Sequence, residues 1–366
     1  MISETPVTNN VIYQARPVIE VDGQRNEMVQ QLLLEMEMRE AEGGLSALEM
    51  RFINAATTER EGVDYAFEYT DLDLLSLGKS VKVKAGDESD PQEIFRGTIS
   101  GLEFVVSEAS PPELVVLAED ALQKGRLKRR TKLYEGMSVA DLVRNVASGM
   151  GLTPVIDGLS DTLDPVLQLN ESDLAFLRRV LTRFDADLQV VEQELHAAPR
   201  KDVRRGTVTL ELHSQLRSVR VMADLADQTT AVTFSGWDVA QGQAFTVTSS
   251  TTSLGPGQGQ QKRTGSQILQ SAFGERKEHL GNLATKSETE ARALVDASFA
   301  QRARRFMRVE GETEGNPAIR VGTQVTLNGL GPRFENTYYV TAVRHRFDLQ
   351  SGYRSVFEAE GAYFGG

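Results

Sequence analysis

The sequence predicts a mainly β protein with an α+β insertion, and three observations lead to this fold class. Short alternating stretches separated by Gly, Pro and Asp turns fill the first third of the chain and return after Gly206. Two stretches with helical periodicity lie between these β-rich regions. A sequence repeat relates the two β-rich regions, so we expect two related β-barrels with a small helical middle domain.

The first β-barrel is expected to span residues 1–122. The stretch 47–53 alternates apolar and polar residues, and 32–38 precedes it across a Gly-Gly turn, so these two stretches are predicted to pair as strands. Six short strands, which is the pattern of a barrel or a sandwich, are predicted in this region near 10–21, 32–38, 47–53, 81–84, 94–106 and 113–119.

Three blocks of the first β-rich region recur in the same order near the carboxyl end of the sequence. The offset between matching residues stays between 241 and 244, which favours a duplicated barrel over coincidence. If the regions superpose, Gly78 matches Gly322 and Phe104 matches Phe347, and we expect both phenylalanines to be buried. The matching blocks are 78–83 with 322–327, 95–104 with 338–347, and 114–119 with 355–360.

Residues 123–202 are predicted to form the α+β insertion domain. Ser138 followed by Asp141 is the pattern of a capping box at the start of a helix, and apolar residues recur behind it at helical spacing. A second helix is predicted to begin near Asn170 or Ser172, with a stripe of leucines on one face.

The second β-barrel is assigned to 203–238 and 285–366, which are separated by a polar segment at 239–284. The centre of that segment is rich in Ser, Thr, Gly and Gln, so we expect a long loop or arm that forms no core. This arm is expected to lie across a neighbouring subunit or a partner. A helix capped by Ser287 follows it.

The composition is that of a globular protein, which we expect to be made in the cytoplasm. The 366 residues carry a net charge of −12 and include no cysteine, which excludes disulfides, thiolate metal sites and cysteine nucleophiles. No apolar run approaches the ~18 residues of a membrane span, and the amino terminus lacks the pattern of a secretory signal. We therefore expect no membrane insertion and, because the chain is acidic, no nucleic-acid partner.

The histidines show no spacing that is typical of a metal site. None stands in an H-x-x-x-H or H-E-x-x-H pattern, so no zinc centre is expected. His345 alternates with apolar residues along a predicted strand, which favours a packed and hydrogen-bonded side chain. The other three histidines are His196, His213 and His279.

Other motifs also fail to support catalysis. The glycine-rich stretch 255–259 lacks the G-K-[ST] ending of a phosphate loop and is interpreted as a flexible linker, and no G-x-S-x-G elbow is present. Asp185 and Asp187 close an amphipathic helix, where solvated turn carboxylates are expected rather than acid–base catalysts. We therefore predict no catalytic residue, no cofactor and no metal, in a protein that is not an enzyme.

The stretch 124–132, KGRLKRRTK, places six cations in nine residues of an acidic chain. It contains no aromatic residue that could stack on a nucleotide base, which weakens a role in binding single strands. We interpret it as a solvated inter-domain segment or as a contact with a subunit of complementary charge.

Four stretches in the right order resemble the phage late-control D protein family. That family includes hub proteins of contractile phage tails, the hub part of the valine–glycine repeat protein of type VI secretion, and extracellular contractile injection systems. The resemblance implies two tube-protein-like barrels per chain and assembly as a homotrimer. The stretches that carry it are 35–54, 170–185, 234–238 and 315–361.

The function that this resemblance implies is that of a structural baseplate hub, which adapts a hexameric inner tube to a three-fold spike. The implied partners are an inner-tube or tube-adaptor protein, other baseplate proteins and a spike. Because the sequence stops directly after the second β-rich region, the spike is expected to be a separate chain, unless the sequence is part of a longer protein to which a spike is fused. The protein would then be incorporated into a phage tail or a contractile injection particle.

Two alternative functions stay open at this point. The stretch 134–191 has a helix–turn–helix texture that is loosely similar to small wall-binding domains, which would make the protein a cell-wall-binding module of a tail. A tail-associated hydrolase is the other alternative, although the sequence lacks a recognisable catalytic set.

Overall fold

The computed structural model describes residues 13–55, 65–67, 74–259, 261–281, 285 and 287–365. Within these residues the protein is mainly β, as the sequence predicts, and its largest element is a sheet of 13 strands. The described residues also form four smaller sheets of two or three strands and five α-helices.

The amino-terminal part pairs the two strands that the alternation predicts, because their apolar residues all face one side of the sheet. Met36, Met38, Met50 and Phe52 are buried on that side, while the residues between them are more exposed. The elements of this part are β1 (Tyr13–Val21), β2 (Gln24–Arg25), α1 (Glu27–Leu32), β3 (Leu33–Ala41), β4 (Ala47–Ile53), β5 (Ser80–Asp87), β6 (Gln92–Val105) and β7 (Glu113–Glu119).

The middle part folds around two helices that begin at the residues the sequence predicts. Ser138 and Asp141 form the reciprocal capping box of the first helix, and Ser172 caps the second. The helices bury their apolar faces in a core of their own. The elements are β8 (Arg129–Tyr134), α2 (Val139–Gly149), β9 (Thr153–Ile156), β10 (Val166–Ser172), α3 (Asp173–Arg183), β11 (Ala186–Val191) and β12 (Glu194–Pro199).

The carboxy-terminal part returns to the large sheet and ends beside it. Ser287 caps the long helix of this part, as predicted. The elements are β13 (Thr207–Glu211), β14 (Leu216–Ala223), β15 (Ala231–Asp238), β16 (Gln243–Ser249), β17 (Lys262–Thr264), α4 (Gly265–Phe273), β18 (Lys277–His279), α5 (Glu288–Arg304), β19 (Met307–Glu314), β20 (Gln324–Asn328), β21 (Asn336–Asp348), β22 (Gly352–Gly361) and β23 (Tyr363–Gly365).

The large sheet contains the same order of strands twice. We call β3-β4-β7-β6-β5-β1 the first β unit and β14-β19-β22-β21-β20-β13 the second β unit. Neighbouring strands are antiparallel in both units, except that β13 runs parallel to β20. The two units are joined into one sheet by the pairing of β3 with β21.

Irregularities in the ladders also occur at matching places in the two units. The β3–β4 ladder is interrupted after Leu33, and the β14–β19 ladder after Leu216. The β6–β7 ladder is interrupted after Ile99, and the β21–β22 ladder after Val340. Because β-bulges are specific local features, their agreement supports a duplicated unit more strongly than the strand order alone.

Two details of the predicted repeat need correction. Gly78 and Gly322 match as predicted, since both have a φ of 87° and donate to Ile99 and Val340, respectively. Phe104, however, matches His345 rather than Phe347, because the equivalent positions Ile99 and Val340 set an offset of 241 residues here, two fewer than in the sequence alignment. Phe104 is also 46% exposed, which contradicts its predicted burial, whereas Phe347 is buried.

The two predicted β-barrels are not closed in the part of the chain that the structure describes. The strand order instead runs from β14 at one end of the large sheet to β2 at the other. Closing a barrel would require the terminal strands of one unit to pair with each other, and the ladders of the described strands include no such pair.

The interpretation of 239–284 as a loop without a core is wrong for its described residues. The segment contains β16, β17, α4 and β18, and β16 pairs along its whole length with β15. Val247, Leu254 and Leu269 are buried. The prediction failed because polar residues occupy the exposed positions between these few buried apolar residues. Since Val247 and Leu254 belong to a core, deleting Thr246 to Gln267 would remove part of that core.

Candidate assembly interface

The joint between the two β units is an edge-to-edge strand pairing. The last seven residues of β21, Ala342 to Asp348, extend beyond β20 and pair with Glu35 to Ala41 of β3. One edge of β21 is thereby shared between β20 and β3, while β22 occupies the other edge. This joint shows how the β21 edge of one β unit pairs with the β3 edge of another.

The two faces of the joint differ in chemistry. On the core face, Phe347 lies opposite Met36 and His345 lies opposite Met38, and all four side chains are buried. On the solvent face, Arg346 donates from Nε to Glu37 Oε2 over 2.5 Å. Although burial acts in the opposite direction, the hydrogen bonds from Arg39 and Arg346 lower the pKa of Glu37.

His345 is packed and hydrogen-bonded, as its alternation with apolar residues predicts. Its Nε2 lies 3.0 Å from the carbonyl oxygen of Ile319, to which it donates. Its Nδ1 then accepts, with the Tyr353 hydroxyl at 2.8 Å and the Ser355 hydroxyl at 3.0 Å. Burial, together with the nearby Arg320 guanidinium, lowers the pKa of His345 to about 3.

The buried imidazole predicts a specific loss of stability in acid. Between its ordinary pKa of 6.5 and about 3, the unfolded chain binds a proton at His345 that the folded chain does not. The free energy of unfolding should therefore fall, as the pH drops through this range, by roughly 1.4 kcal/mol per pH unit from this group. Urea unfolding at several pH values should show a shallower acid slope for His345→Gln, and equal slopes would contradict the prediction.

Both halves of a second joint of the same kind are present in the chain, and neither has a partner among the described strands. The part of β21 that extends beyond β20 has its counterpart in Gly101 to Ser107, which include the end of β6 and lie beyond its last partner in β5. The counterpart of β3 is β14, which pairs with β19 alone among the described strands. Within one chain, the end of β21 pairs with β3. The equivalent strands, the end of β6 and β14, have no such partner within the ranges that the structure describes.

The unpaired end of β6 exposes apolar side chains that are buried in the existing joint. Leu102, Phe104 and Val106 are 39%, 46% and 59% exposed, whereas their counterparts in β21, Val343, His345 and Phe347, are nearly inaccessible. Phe104 makes a T-shaped contact with Tyr65, with ring centroids 5.0 Å apart. Exposed apolar residues along an unpaired strand are features of a protein interface.

A buried cluster of charges fastens the middle part of the chain to the joint. Arg200, which follows β12, forms ion pairs with Glu42 and Glu360 and lies 4.3 Å from the ring centroid of Tyr339. Glu42 follows β3 directly, and its backbone N–H donates to the carbonyl oxygen of Thr341 in β21. The cluster therefore connects the end of β12 in the middle part with the end of β3 in the first β unit and with β22 in the second.

Burial dominates the electrostatics of this cluster. It raises the pKa of the Glu42 carboxyl to about 7, against the opposing attraction of Arg200. Arg304, from α5, forms ion pairs with Asp185 and with Glu360. The carboxylates and guanidiniums compensate one another in a region from which water is largely excluded.

Asp185 and Asp187 are therefore not the solvated turn residues that the sequence predicts. Asp185 is held by Arg304, and Asp187 is buried and held by Arg205. The prediction failed because the partner arginines, Arg304 and Arg205, are not neighbours in the sequence. No local sequence pattern indicates such ion pairs. Both aspartates have structural ion-pair roles.

The remaining candidate residues do not converge on one site. His196 contacts Glu194, and His279 contacts Thr233. His213 lies in a turn after β13 with a φ of 65°. In the described part of the chain, no group of three or more His, Asp or Glu side chains is placed to hold a metal ion. No described helix is long and apolar enough to cross a membrane.

Solved structures of tail proteins share this fold. The 43 kDa tail protein of prophage MuSo2 from Shewanella oneidensis is 12% identical with a TM-score of 0.63, over 94% of this chain and 97% of that chain. A tail protein from Neisseria meningitidis MC58 is 11% identical with a TM-score of 0.62, over 94% of this chain and 96% of that one.

A third solved structure belongs to a secretion machine. The E. coli c3393 protein is a component of the type VI secretion system and is similar in structure to the T4 bacteriophage tail proteins gp27 and gp5. It is 11% identical to this chain, with a TM-score of 0.58 over 94% of this chain and 76% of its own. At such low identity these likenesses establish the fold.

The sequence itself matches one family model. A search of curated proteins finds no match. The matching model is described as the Alg8 N-terminal domain, and it covers residues 55–348. It is not a model of the late-control D family, so the resemblance to that family stays an interpretation. Because the match extends over more than half of the sequence, the chain belongs to the Alg8 N-terminal domain family.

Proposed function

We propose that this chain is a structural hub subunit of a contractile tail or injection machine and that it closes head to tail into a homotrimer. One observation carries the proposal. The chain contains two copies of a β unit and uses one joint internally, and both halves of a second such joint have no partner in the part of the chain that the structure describes. Head-to-tail pairing of identical chains satisfies every such edge only if the ring closes.

The existing joint fixes the register that the new one should adopt. The bulges make Phe104 equivalent to His345 and Val221 equivalent to Met38, which are opposite each other in the joint. Phe104 of one chain should therefore lie opposite Val221 of the next. The full set of seven pairs runs antiparallel from Gly101 opposite Asp224 to Ser107 opposite Ser218.

The chemistry of the two edges supports this register. Leu102, Phe104 and Val106 would face Ala223, Val221 and Val219, so that apolar side chains meet on the core face. On the solvent face, Glu103 would lie diagonally across from Arg220. A shift of one residue would turn the apolar side chains of one strand toward water, so the register is strongly specified.

A closed ring of three chains contains six β units. Such a ring presents six similar surfaces to a hexameric inner tube or tube adaptor, while its true three-fold symmetry suits a spike. The shared fold with phage tail proteins and with a type VI secretion component supports this assignment. Other baseplate proteins and a separate spike chain are the further partners we propose, in a particle of the phage-tail or injection class.

The proposed role requires no catalysis. The ring would act through its edges and surfaces, and the buried ionisable groups Arg200, Arg304 and His345 act as ion-pair or hydrogen-bond partners within the fold. We therefore propose that the protein is not an enzyme, and that the cell-wall-binding and hydrolase alternatives do not apply.

The mass of the native particle tests the proposal. Three chains of 40.3 kDa give about 121 kDa, and light scattering at micromolar concentration should report that mass. Sedimentation with purified peptidoglycan and analysis of soluble products serve as parallel assays. A stable folded monomer would contradict the ring, while retention on peptidoglycan or released fragments would favour one of the alternatives.

A further inference from the structure

The two-stranded ribbon formed by β8 and β10 lies in the middle part of the chain, away from the joint. Its inner face is well anchored, since Tyr134 stacks on Phe176 with ring centroids 5.0 Å apart. Gln168 is fully buried, and its Nε2 donates to Asp173 Oδ1 over 2.9 Å. These contacts make the ribbon a rigid platform.

The outer face of the ribbon is apolar and uncovered. Leu133 lies directly opposite Leu167, and these side chains are 52% and 45% exposed. Leu169, on the same strand as Leu167, is 66% exposed, and Leu127, just before the ribbon, is 74% exposed. Four leucines this exposed, on or next to one two-stranded ribbon, form an apolar surface of the kind that marks an interaction site.

Cations surround these leucines, and several have no carboxylate partner. Arg126 pairs with Glu119, and Arg130 pairs with Asp173. Across the ranges that the structure describes, no ion pair is formed by the other cations of the run, which are Lys124, Lys128, Arg129 and Lys132. Arg129 donates only to the carbonyl oxygen of Asn170, and Lys132 lies over the ring of Tyr134.

The ribbon also has an open edge beside these cations. β8 pairs with β10 on one side, and none of the strands in the described ranges pairs with its other side. An unpaired strand edge presents alternating backbone N–H and C=O groups that can accept an additional strand.

We propose that the open edge of β8 and the leucine face bind an extended, acidic and apolar segment of a partner protein by strand addition. The backbone of the segment would pair with β8. Its apolar residues would cover Leu133 and the neighbouring leucines, and its carboxylates would pair with Lys128, Arg129 and Lys132. This strand-addition site does not depend on the ring joint.

The geometry favours a polypeptide over the other ligands that basic surfaces attract. A lipid headgroup region cannot pair the backbone groups of a strand edge as another strand can. A nucleic acid would find no aromatic side chain to stack on in the leucine face, and the chain is strongly acidic elsewhere. A segment that alternates acidic and apolar residues satisfies the edge, the leucines and the cations together.

A labelled peptide of alternating glutamate and valine tests the site on the full chain. Fluorescence anisotropy should show saturable binding that weakens with salt, and at least about tenfold weaker binding of a lysine–valine peptide. The double variant Lys128→Glu/Arg129→Glu should lose about tenfold or more in affinity. So should Leu133→Thr/Leu169→Thr, in which β-branched residues preserve the strand.

Matched variants and competing ligands decide the outcome. Arg292→Glu and Leu349→Thr alter similarly exposed residues elsewhere and should bind the peptide as the native chain does. Equal binding of both peptides, or no effect of the ribbon variants, would overturn the proposal. So would tighter binding of anionic phosphatidylglycerol vesicles or of a single-stranded oligonucleotide, or a changed particle mass for the ribbon variants.

Discussion

Phe104→Asp is expected to convert the proposed trimer into folded monomers. Phe104 is nearly half exposed in one chain, so the substitution should leave the fold intact. In the proposed ring its side chain lies between the core faces of two β units, where an unpaired carboxylate costs several kcal/mol. A loss of about 3 kcal/mol or more at each contact weakens it by over a hundredfold.

Light scattering and circular dichroism together check this expectation. The variant should have the mass of one chain, with the native far-ultraviolet spectrum. Leu349→Asp serves as the control, because Leu349 is 60% exposed and lies outside the joint. If Phe104→Asp remains trimeric, or if the control also dissociates, the assignment of this edge is wrong.

Arg200→Met is expected to destabilise the fold of the chain itself by about 3–5 kcal/mol. The substitution keeps an unbranched side chain about as long as the aliphatic part of the arginine but leaves Glu42 and Glu360 without their shared buried cation. Because the cluster fastens the middle part of the chain to the joint, the loss should appear as unfolding at lower denaturant concentration.

Guanidinium unfolding of the native chain and two variants measures this effect. Arg292→Met is the matched control, since Arg292 forms an exposed ion pair with Glu288 and should change stability by less than about 1 kcal/mol. An Arg200→Met chain as stable as the control would show that solvent or rearrangement compensates the buried carboxylates.

Local signals in the sequence predicted much of the secondary structure. The capping residues Ser138, Ser172 and Ser287 begin helices as expected, because a side-chain hydroxyl that accepts from the first turn is a local interaction. The alternation at 47–53 likewise predicted a half-buried strand correctly. These features depend on residues close together in the chain.

Features that depend on distant residues were predicted poorly. The register of the repeat was misplaced by two residues in its second block, because the β5–β6 hairpin contains more residues than the β20–β21 hairpin, and the sequence does not show where this difference in length falls. The core of 239–284 was missed because Val247 and Leu254 are isolated apolar residues in a polar stretch. Their packing partners lie on α5 and other elements far along the chain.

The candidate interface could be predicted only in outline. The apolar alternation of Leu102, Phe104 and Val106 indicates a strand, but a sequence cannot show whether a strand edge finds a partner inside its own chain. Only the structure shows that β21 pairs with β3 beyond the end of β20. It also shows that the equivalent edge of β6, beyond the end of β5, has no partner among the described strands. The resemblance predicted a trimer, whereas the sheet indicates which edges would form it.

Cysteine cross-linking tests the head-to-tail ring most directly, because the native chain contains no cysteine. The double variant Glu103→Cys/Met222→Cys places thiols at positions that should lie opposite each other in neighbouring chains. Directly opposed side chains in a sheet have Cβ atoms about 4.5–5.5 Å apart, close to the reach of a disulfide. Both thiols lie on the solvent face of the proposed joint.

Glu103→Cys/Val221→Cys is the control, since moving one thiol by one residue turns it to the other face of the sheet. After mild oxidation, denaturing electrophoresis without reductant should show the first variant as a covalent trimer that reductant dissolves, and the control as a single chain. A first variant that remains monomeric, or a control that links equally well, would contradict the ring.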